Sequence, residues 1–403
     1  MNIRRPAALA AVFLLLFSRV PARADQVTLY TASSFASEEE DIGVIYAGLL
    51  ETFEREHDCV IADSSSASNE TWKKNILNEF AAGSEPDILF FFANSADSAP
   101  LLPRVVPIEE INRNYPGLNL PVSDALREPD GRVYAIPIRP FWEGILCNTE
   151  LFDLYDLPLP DTWDHLMEAV AGFRARGVTP FAVSMMDSPH YIAEMAILAC
   201  ATPEEQQARP ASYEEVPESW FRAMALIREL AEAGAFPDHA AFMDEWTANS
   251  LFHSGKAAMQ VDGVWFAKQL SGEEMARTAV LPVPRADGGE PSGAYIGGVS
   301  MGFYLTRRAW DQPSVRDLAV RLLAFLTGEE NRDLLSGNTL SGLAGETAAD
   351  LIREDHVMLS PVQDAMNAAA REVWLMECVP AVAEGSMTPE ECWRKVMALS
   401  PFQ

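Results

Sequence analysis

Gly298-Val299-Ser300-Met301-Gly302 has the G-x-S-x-G spacing of a serine hydrolase's nucleophile elbow. That chemistry needs a strand ending at the serine and a helix directly after it. Phe303-Tyr304-Leu305-Thr306 continues as strand instead, and His356 is the only histidine downstream. A strand relieved by glycine is the better reading, and a secreted hydrolase using Ser300 is the alternative. Ser254-Gly255-Lys256-Ala257 lacks both the leading glycine and the Ser/Thr of a phosphate-binding loop, so it reads as a helix-to-strand turn. Asp262 and Glu143 are candidates for a carboxylate pair, but acids are too common in this chain for that to indicate catalysis. The five cysteines show no C-x-x-C and no H-E-x-x-H accompanies them, so neither a metal nor a cofactor is expected. Cys59 and Cys147 sit in apolar runs as core residues, whereas Cys378 and Cys392 flank a turn and are the candidates for a bridge.

Composition narrows the classes further. The 403 residues carry 59 acids against 30 bases, a net charge of -29, so a nucleic-acid partner is excluded for want of a basic footprint. With 48% hydrophobic residues the chain can bury a sizeable core. Arg4 and Arg5, an apolar run from Ala7 to Phe17, and Ala22-Arg23-Ala24 form a secretory leader over residues 1–24, cleaved near Ala24. The run is too short to span a bilayer, and no later segment reaches the length of a membrane helix. Periplasmic or extracellular location follows as the expectation.

Alternating patterns place these residues on elements. Val27–Tyr30, Cys59–Ala62 and Ile88–Phe92 read as strands, separated by amphipathic runs over Gly43–Glu56 and Asn69–Ala82. Strand-helix-strand repetition implies a parallel sheet whose ligand crevice lies beyond the strands' carboxyl ends. The loops there, Thr31–Phe35, Ser64–Asn69 and Ala93–Asp97, are small and polar, which suits hydrogen bonding to a ligand. A second α/β stretch is expected from strands at Val133–Ile138, Gly144–Cys147, Thr179–Met185, Lys256–Val261 and Thr278–Val283. A longer strand is expected over Tyr295–Thr306, and a nearly all-helical tail from Pro313. Thr202, Thr327 and Thr388 each precede Glu by three residues, the spacing of a capping box.

Five segments, in order, carry a resemblance. Gly83-Ser84-Glu85-Pro86-Asp87-Ile88, Val133-Tyr134-Ala135-Ile136-Pro137, Asn148-Thr149-Glu150-Leu151-Phe152, Leu157 to Asp164, and Leu251 to Met259 followed by Asp262-Gly263-Val264-Trp265 are similar to motifs of the extracellular solute-binding proteins, family 1. Those proteins feed ABC importers for sugars and related solutes. Leu146-Cys147 departs from the usual aromatic before the Asn, and the common lipid-anchor cysteine is absent. The resemblance implies an α/β fold of two Rossmann-like lobes around a ligand cleft, like type II periplasmic binding proteins. Lobe 1 would be 25–138 plus 297–343 and lobe 2 would be 139–296, with C-terminal helices over 344–403 packed on lobe 2. It also implies a non-catalytic, monomeric receptor that closes on a solute and docks on the permease subunits of an ABC importer. Sugar is the commonest ligand, with polyamines and phosphoesters as alternatives.

A sugar presents apolar C–H faces and a ring of hydroxyls, so its sites pair aromatic rings with hydrogen-bonding side chains. The resemblance puts Trp265 and Asp262 at the centre, with Arg139, Trp142 and Glu143 at the lobe crossing. Gly298 belongs to the other crossing strand. Ser34, Ser66, Asn94 and Asp97 fall on the strand-end loops. His190 stands where an acid-Pro-aromatic element is usual, and Trp246 reads equally as rim or core. Trp72, Trp163, Trp220, Trp310, Trp374 and Trp393 are expected in the core.

Overall fold

A computed structural model describes residues 26–35, 42–66, 70–93, 98–289, 293–336, 340–353 and 355–402. The leader expected over residues 1–24 lies outside the described residues. Among the described residues no helix is long and apolar enough to cross a membrane.

The strands are β1 (Thr28–Ala32), β2 (Val60–Asp63), β3 (Ile88–Phe92), β4 (Ile136–Asn148), β5 (Thr179–Ala182), β6 (Ala257–Gly263), β7 (Thr278–Leu281), β8 (Ala294–Leu305) and β9 (Val357–Leu359). They hydrogen-bond in the order β2-β1-β3-β8-β4-β6-β5, with β7 on β4 and β9 on β8. β1 runs parallel to β2 and β3, and β5 parallel to β6, as alternation with helices dictates. β8 is antiparallel to both β3 and β4.

Local sequence explains the elements. In the helix Ile42–His57 the buried residues are Ile42, Tyr46, Leu50 and Phe53, one stripe at helical spacing. β3 is buried along almost its whole length, matching its continuous apolar run. Thr162 caps the helix Trp163–Ala175, its hydroxyl accepting from the His165 amide. Thr202 and Thr388 form reciprocal capping boxes, as expected. Thr327 does not: it ends the helix Pro313–Thr327, and its hydroxyl donates to the Leu323 carbonyl one turn back. The unforeseen capping box is Ser271 with Glu274.

Two other expectations need correction. Val133–Ile138 and Gly144–Cys147 are not separate strands, because β4 runs unbroken through Pro137 and Pro140. Proline lacks the N–H a ladder needs, and the pairing with β8 shifts register at Pro137/Arg139 and again at Arg139/Pro140, absorbing both rings in bulges. The tail is helical but for β9, which adds to the β8 edge.

Two hydrophobic cores result. One gathers residues from Leu29 to Ile138 and from Met301 to Leu335. The other gathers Phe141 to Val283, Ala294, Ile296 and the C-terminal residues Ala348 to Met397. Trp220, Trp374 and Trp393 cement the tail, with ring centroids 5.0 Å apart for Trp220–Trp393 and 5.4 Å for Trp374–Trp393. Trp72 and Trp310 are buried in the first core, and Trp163 packs half-buried on the second.

The β4–β8 contact leaves no space for side chains at its glycines. A Cβ on Gly302 would sit 2.7 Å from the Ile136 carbonyl oxygen, whereas one on Gly48 would meet nothing within 4 Å. Gly302→Ala should therefore cost about 1–3 kcal/mol of stability. Gly48→Ala, in an exposed helix interior, should gain up to about 1 kcal/mol. Denaturant unfolding of both variants checks the contrast, and equal effects would show that the strand contact is not tight.

Candidate functional site

Strand register brings the carboxyl ends of both half-sheets to one place. Phe92, the last residue of β3, pairs with Met301, and Gly263, the last of β6, pairs with Glu143. Glu143 in turn lies opposite Ile296, and Phe141 opposite Gly298. The loops after β1, β3, β5 and β6 thus converge on the crossing segments 139–143 and 296–301. The chain passes between its two cores in these same segments.

The wall on the second core is aromatic and acidic. Trp265 follows Gly263 so closely that a Cβ there would meet the indole at 2.5 Å, so only glycine lets the ring fold back. The indole Nε1 donates to the Tyr191 hydroxyl at 2.7 Å, and its ring lies 5.7 Å from that of Phe141. Asp262 is fully buried and accepts from its neighbour's amide, Gly263, at 2.7 Å and from Gln260 Nε2 at 2.9 Å. Gln260 Nε2 also donates to Asn249 at 2.7 Å, while its Oε1 is buried without a partner among the described groups. A small pocket lined by Ser184, Ser188, Tyr191, Asn249, Gln260 and Asp262 opens here.

Among the described side chains no cation pairs with Asp262 or Glu143. Desolvation drives the Asp262 carboxyl up to about 7, against the pull of its hydrogen bonds. Glu143 is buried, and none of the described side chains donates a hydrogen bond to it. Burial, reinforced by the charges of Glu194, Asp262 and Asp364, pushes its carboxyl well above the ordinary range. Glu194, also raised to about 7 by burial, accepts from the Val362 and Gln363 amides at 3.0 and 2.9 Å. His190 is pushed down to about 4 by burial and by Arg371.

The opposite wall is small and hydroxylic. Thr31 Oγ1 donates to Asp63 at 2.7 Å, Ser65 Oγ to the same oxygen at 2.8 Å, and the Ser33 and Ser65 hydroxyls lie 2.5 Å apart. Ser34, buried, donates to the Met301 sulfur at 3.5 Å, tying this wall to the crossing.

Of the expected site residues, Asp262, Trp265, Glu143, Gly298 and Ser34 lie at or beside the crossing. Arg139 lies in its bulge by backbone position. Trp142 is buried in the second core. His190 opens the helix His190–Cys200, its ring 4.1 Å from Tyr191. Ser66 is exposed, its amide bonded to the Ser33 carbonyl. Trp246 is 78% exposed and so is not a core residue. It stands one turn before Asn249 in the helix Glu245–His253. Asn94 and Asp97 lie outside the described residues. Ser300 falls inside β8, so the strand-to-helix turn of an elbow is absent there.

Tyr191, Gln260, Asn249 and Asp63 escaped the sequence reading. Gln260 was within reach, since it sits two residues before Asp262 on the same strand face. Among the described residues no group of His, Cys, Asp and Glu could hold a metal ion. What the arrangement offers is flat apolar rings beside acceptors and hydroxyls.

The family model for bacterial extracellular solute-binding proteins matches residues 36–333. No curated protein matches the chain significantly. A structure from work on xylan utilization by the thermophilic bacterium Caldanaerobius polysaccharolyticus superposes with a TM-score of 0.76 at 20% identity, covering 92% of this chain and 99% of that one. A chitin oligosaccharide binding protein gives 0.76 at 19% identity, covering 92% and 98%. A sugar transporter from Bacillus licheniformis in complex with stachyose gives 0.69 at 16% identity, covering 94% and 100%. Likeness at these identities establishes the fold, two α/β lobes about a cleft.

The buried acid has a pH signature. With its native carboxyl near 7 and an unfolded value near 3.8, Asp262 binds its proton more tightly when folded, so its contribution to stability falls as pH rises between those values. His190, held at about 4 against 6.5, acts oppositely over its own window, so only a difference between variants isolates Asp262. From pH 5 to pH 8 the stability of Asp262→Asn relative to the parent should improve by on the order of 2 kcal/mol. Unfolding curves at the two pH values measure it, and a pH-independent difference would place the carboxyl near its ordinary range.

Proposed function

The chain belongs to the bacterial extracellular solute-binding proteins, and we propose that it captures a carbohydrate by lobe closure and delivers it to the permease of an ABC importer. The observation that carries this reading is the pairing of the Trp265 indole, held by Tyr191, with the buried acceptors Asp262 and Gln260 at the crossing. Sugar rings stack on such faces while their hydroxyls meet the acceptors. Neighbours described with chitin oligosaccharide and stachyose support the same solute class. In this reading lobe 1 is 25–138 with 297–343, and lobe 2 is 139–296 carrying the helices of 344–403. The two hinge near 138, 297 and 343. The receptor works as an exported monomer with no catalytic step.

A second reading has an observation of its own. Glu143 and Asp262 lie buried with no cation beside them among the described side chains, which favours a solute bearing a protonated amine over a phosphoester.

A thermal-shift screen of neutral oligosaccharides, amino sugars, polyamines and phosphoesters separates these, because a tight ligand raises the melting temperature by mass action. With the best hit, Trp265→Ala should lose roughly ten- to a hundredfold in affinity by calorimetric titration, the value of about 1–3 kcal/mol of stacking. Native affinity in a variant that has lost stability would make Trp265 a core residue. Stoichiometric labelling of Ser300 by a serine-reactive probe would overturn the receptor reading altogether.

A further inference from the structure

We infer that the small pocket between Gln260 and Asp262 is a seat for a single ammonium group, so that the solute is a carbohydrate carrying a free amino group. The inference rests on the carbohydrate reading for the ring and on the pocket's own geometry for the amine. Gln260 and Asp262 stand two residues apart on β6, so both side chains leave one face of the strand. They line the pocket together with Ser184, Ser188, Tyr191 and Asn249.

Hydrogen-bond orientation decides what the pocket asks for. The Gln260 amide cannot be turned round, because its Nε2 donates to the Asp262 carboxylate at 2.9 Å and to Asn249 Oδ1 at 2.7 Å. Both of its N–H bonds are thereby spent. The Oε1 atom is left buried without a partner, on a residue only 3% exposed. An acceptor so placed calls for a donor, since an unmade bond costs the desolvation of the group. Three donors around it are committed elsewhere. The Trp265 indole donates to the Tyr191 hydroxyl, the Ser184 hydroxyl to the Met243 carbonyl and the Gly263 amide to Asp262, each at 2.7 Å.

Charge and size then choose the donor. A hydroxyl brings one hydrogen and no charge, whereas an ammonium brings three and the positive charge that the buried carboxylate lacks among the described side chains. A phosphate offers acceptors and the wrong sign. The cavity volume is about 10 Å³, room for one group the size of a water molecule. An ammonium head fits that space, but an acetamido group, with its carbonyl and methyl, does not. Tyr191 both lines the pocket and accepts from the indole, so the Nε1 edge of Trp265 borders the seat. A sugar ring stacked on the indole then carries its amine over that edge and into the pocket.

The test uses the full chain and two sets of probes. Melting is followed in ammonium chloride and in tetramethylammonium chloride at equal ionic strength, the second cation being too large for the seat. Ammonium should give a saturable rise in melting temperature that Asp262→Asn loses. Calorimetric titration then compares glucose, galactose and mannose with their 2-amino and 2-acetamido derivatives. The amino form should bind about tenfold tighter than its parent hexose, the margin of a charge-assisted over a neutral hydrogen bond, and the acetamido form should be the weakest of the three. Asp262→Asn should bring the ratio of amino to hydroxyl affinity close to one. Equal melting in the two salts would overturn the seat. Sugars bound with no preference for the amine would overturn it too, and would leave the carbohydrate reading intact. An ammonium effect with no sugar bound would instead strike the carbohydrate reading, and the amino-sugar assignment with it, while keeping the seat. Both comparisons are made on the parent, so neither depends on the variant folding.

Discussion

The antiparallel pairing of β4 with β8 passes from one hydrophobic core into the other, and among the described residues the two cores share no other strand pair. A ladder of backbone hydrogen bonds is stiff against sliding but tolerates twist, so the two halves are fixed in register while their relative angle stays soft. The sequence concentrates its irregularities there. Pro137 and Pro140 interrupt donors on β4, and Gly297 and Gly302 bring β8 so near that an added Cβ would stand 2.9 Å and 2.7 Å from carbonyl oxygens of β4. Side chains that would otherwise wedge the strands apart are missing from the ladder. Convergence of the strand-end loops on this crossing follows from the register alone.

Charge shows how differently the protein treats its acids here and elsewhere. Glu110 receives both arms of the Arg307 guanidinium at 2.7 and 2.6 Å, and its carboxyl is held below the usual range. Glu85, buried, receives three hydrogen bonds from Arg104. These acids stabilise the fold through paired hydrogen bonds. Asp262 and Glu143 are buried too and have no arginine partner among the described side chains, so burial raises their carboxyls where pairing would have lowered them. A fold selected only for stability would replace or neutralise them. Their retention at the strand crossing fits groups whose partner arrives from solution.

Much of this arrangement was legible in the residues, for identifiable reasons. Strands β1, β3 and β8 and the helix at residues 42–57 announce themselves by period and by buried length, which depend only on neighbours in sequence. The Asp262-Gly263-Val264-Trp265 segment was singled out by its likeness to a family motif, and the structure shows that Gly263 leaves the room into which the indole folds back. β4 was misread as two strands because a proline ends a strand by local rules, and only its partner β8 provides the bulges that keep it whole. Tyr191 was missed because its role is to hold Trp265, a residue 74 positions away. Asp63 was missed likewise, since its partners Thr31 and Ser65 come together only when β1 lies beside β2. What escapes a linear reading is the pairing of distant strands, and site chemistry at a crossing is made of just such pairings.

The two walls differ in a way that sets an order of events for a receptor of the proposed kind. Around Asp63 the hydroxyls of Thr31, Ser33 and Ser65 already satisfy one another, so this wall offers little apolar area and only hydrogen bonds that must be exchanged on binding. Such exchanges contribute modestly, about 1 kcal/mol each. The wall of half-buried Trp265, backed by buried Tyr191 and Phe141, offers an indole whose desolvation is favourable before any closure, together with the unpartnered oxygen of Gln260. In the proposed reading the larger share of affinity resides on the second core's wall, where a solute would settle while the cleft is open. The hydroxyl wall would then close over it and add directional contacts. Those contacts discriminate among hydroxyl patterns more than they tighten the complex, because each replaces a bond the loop had already made.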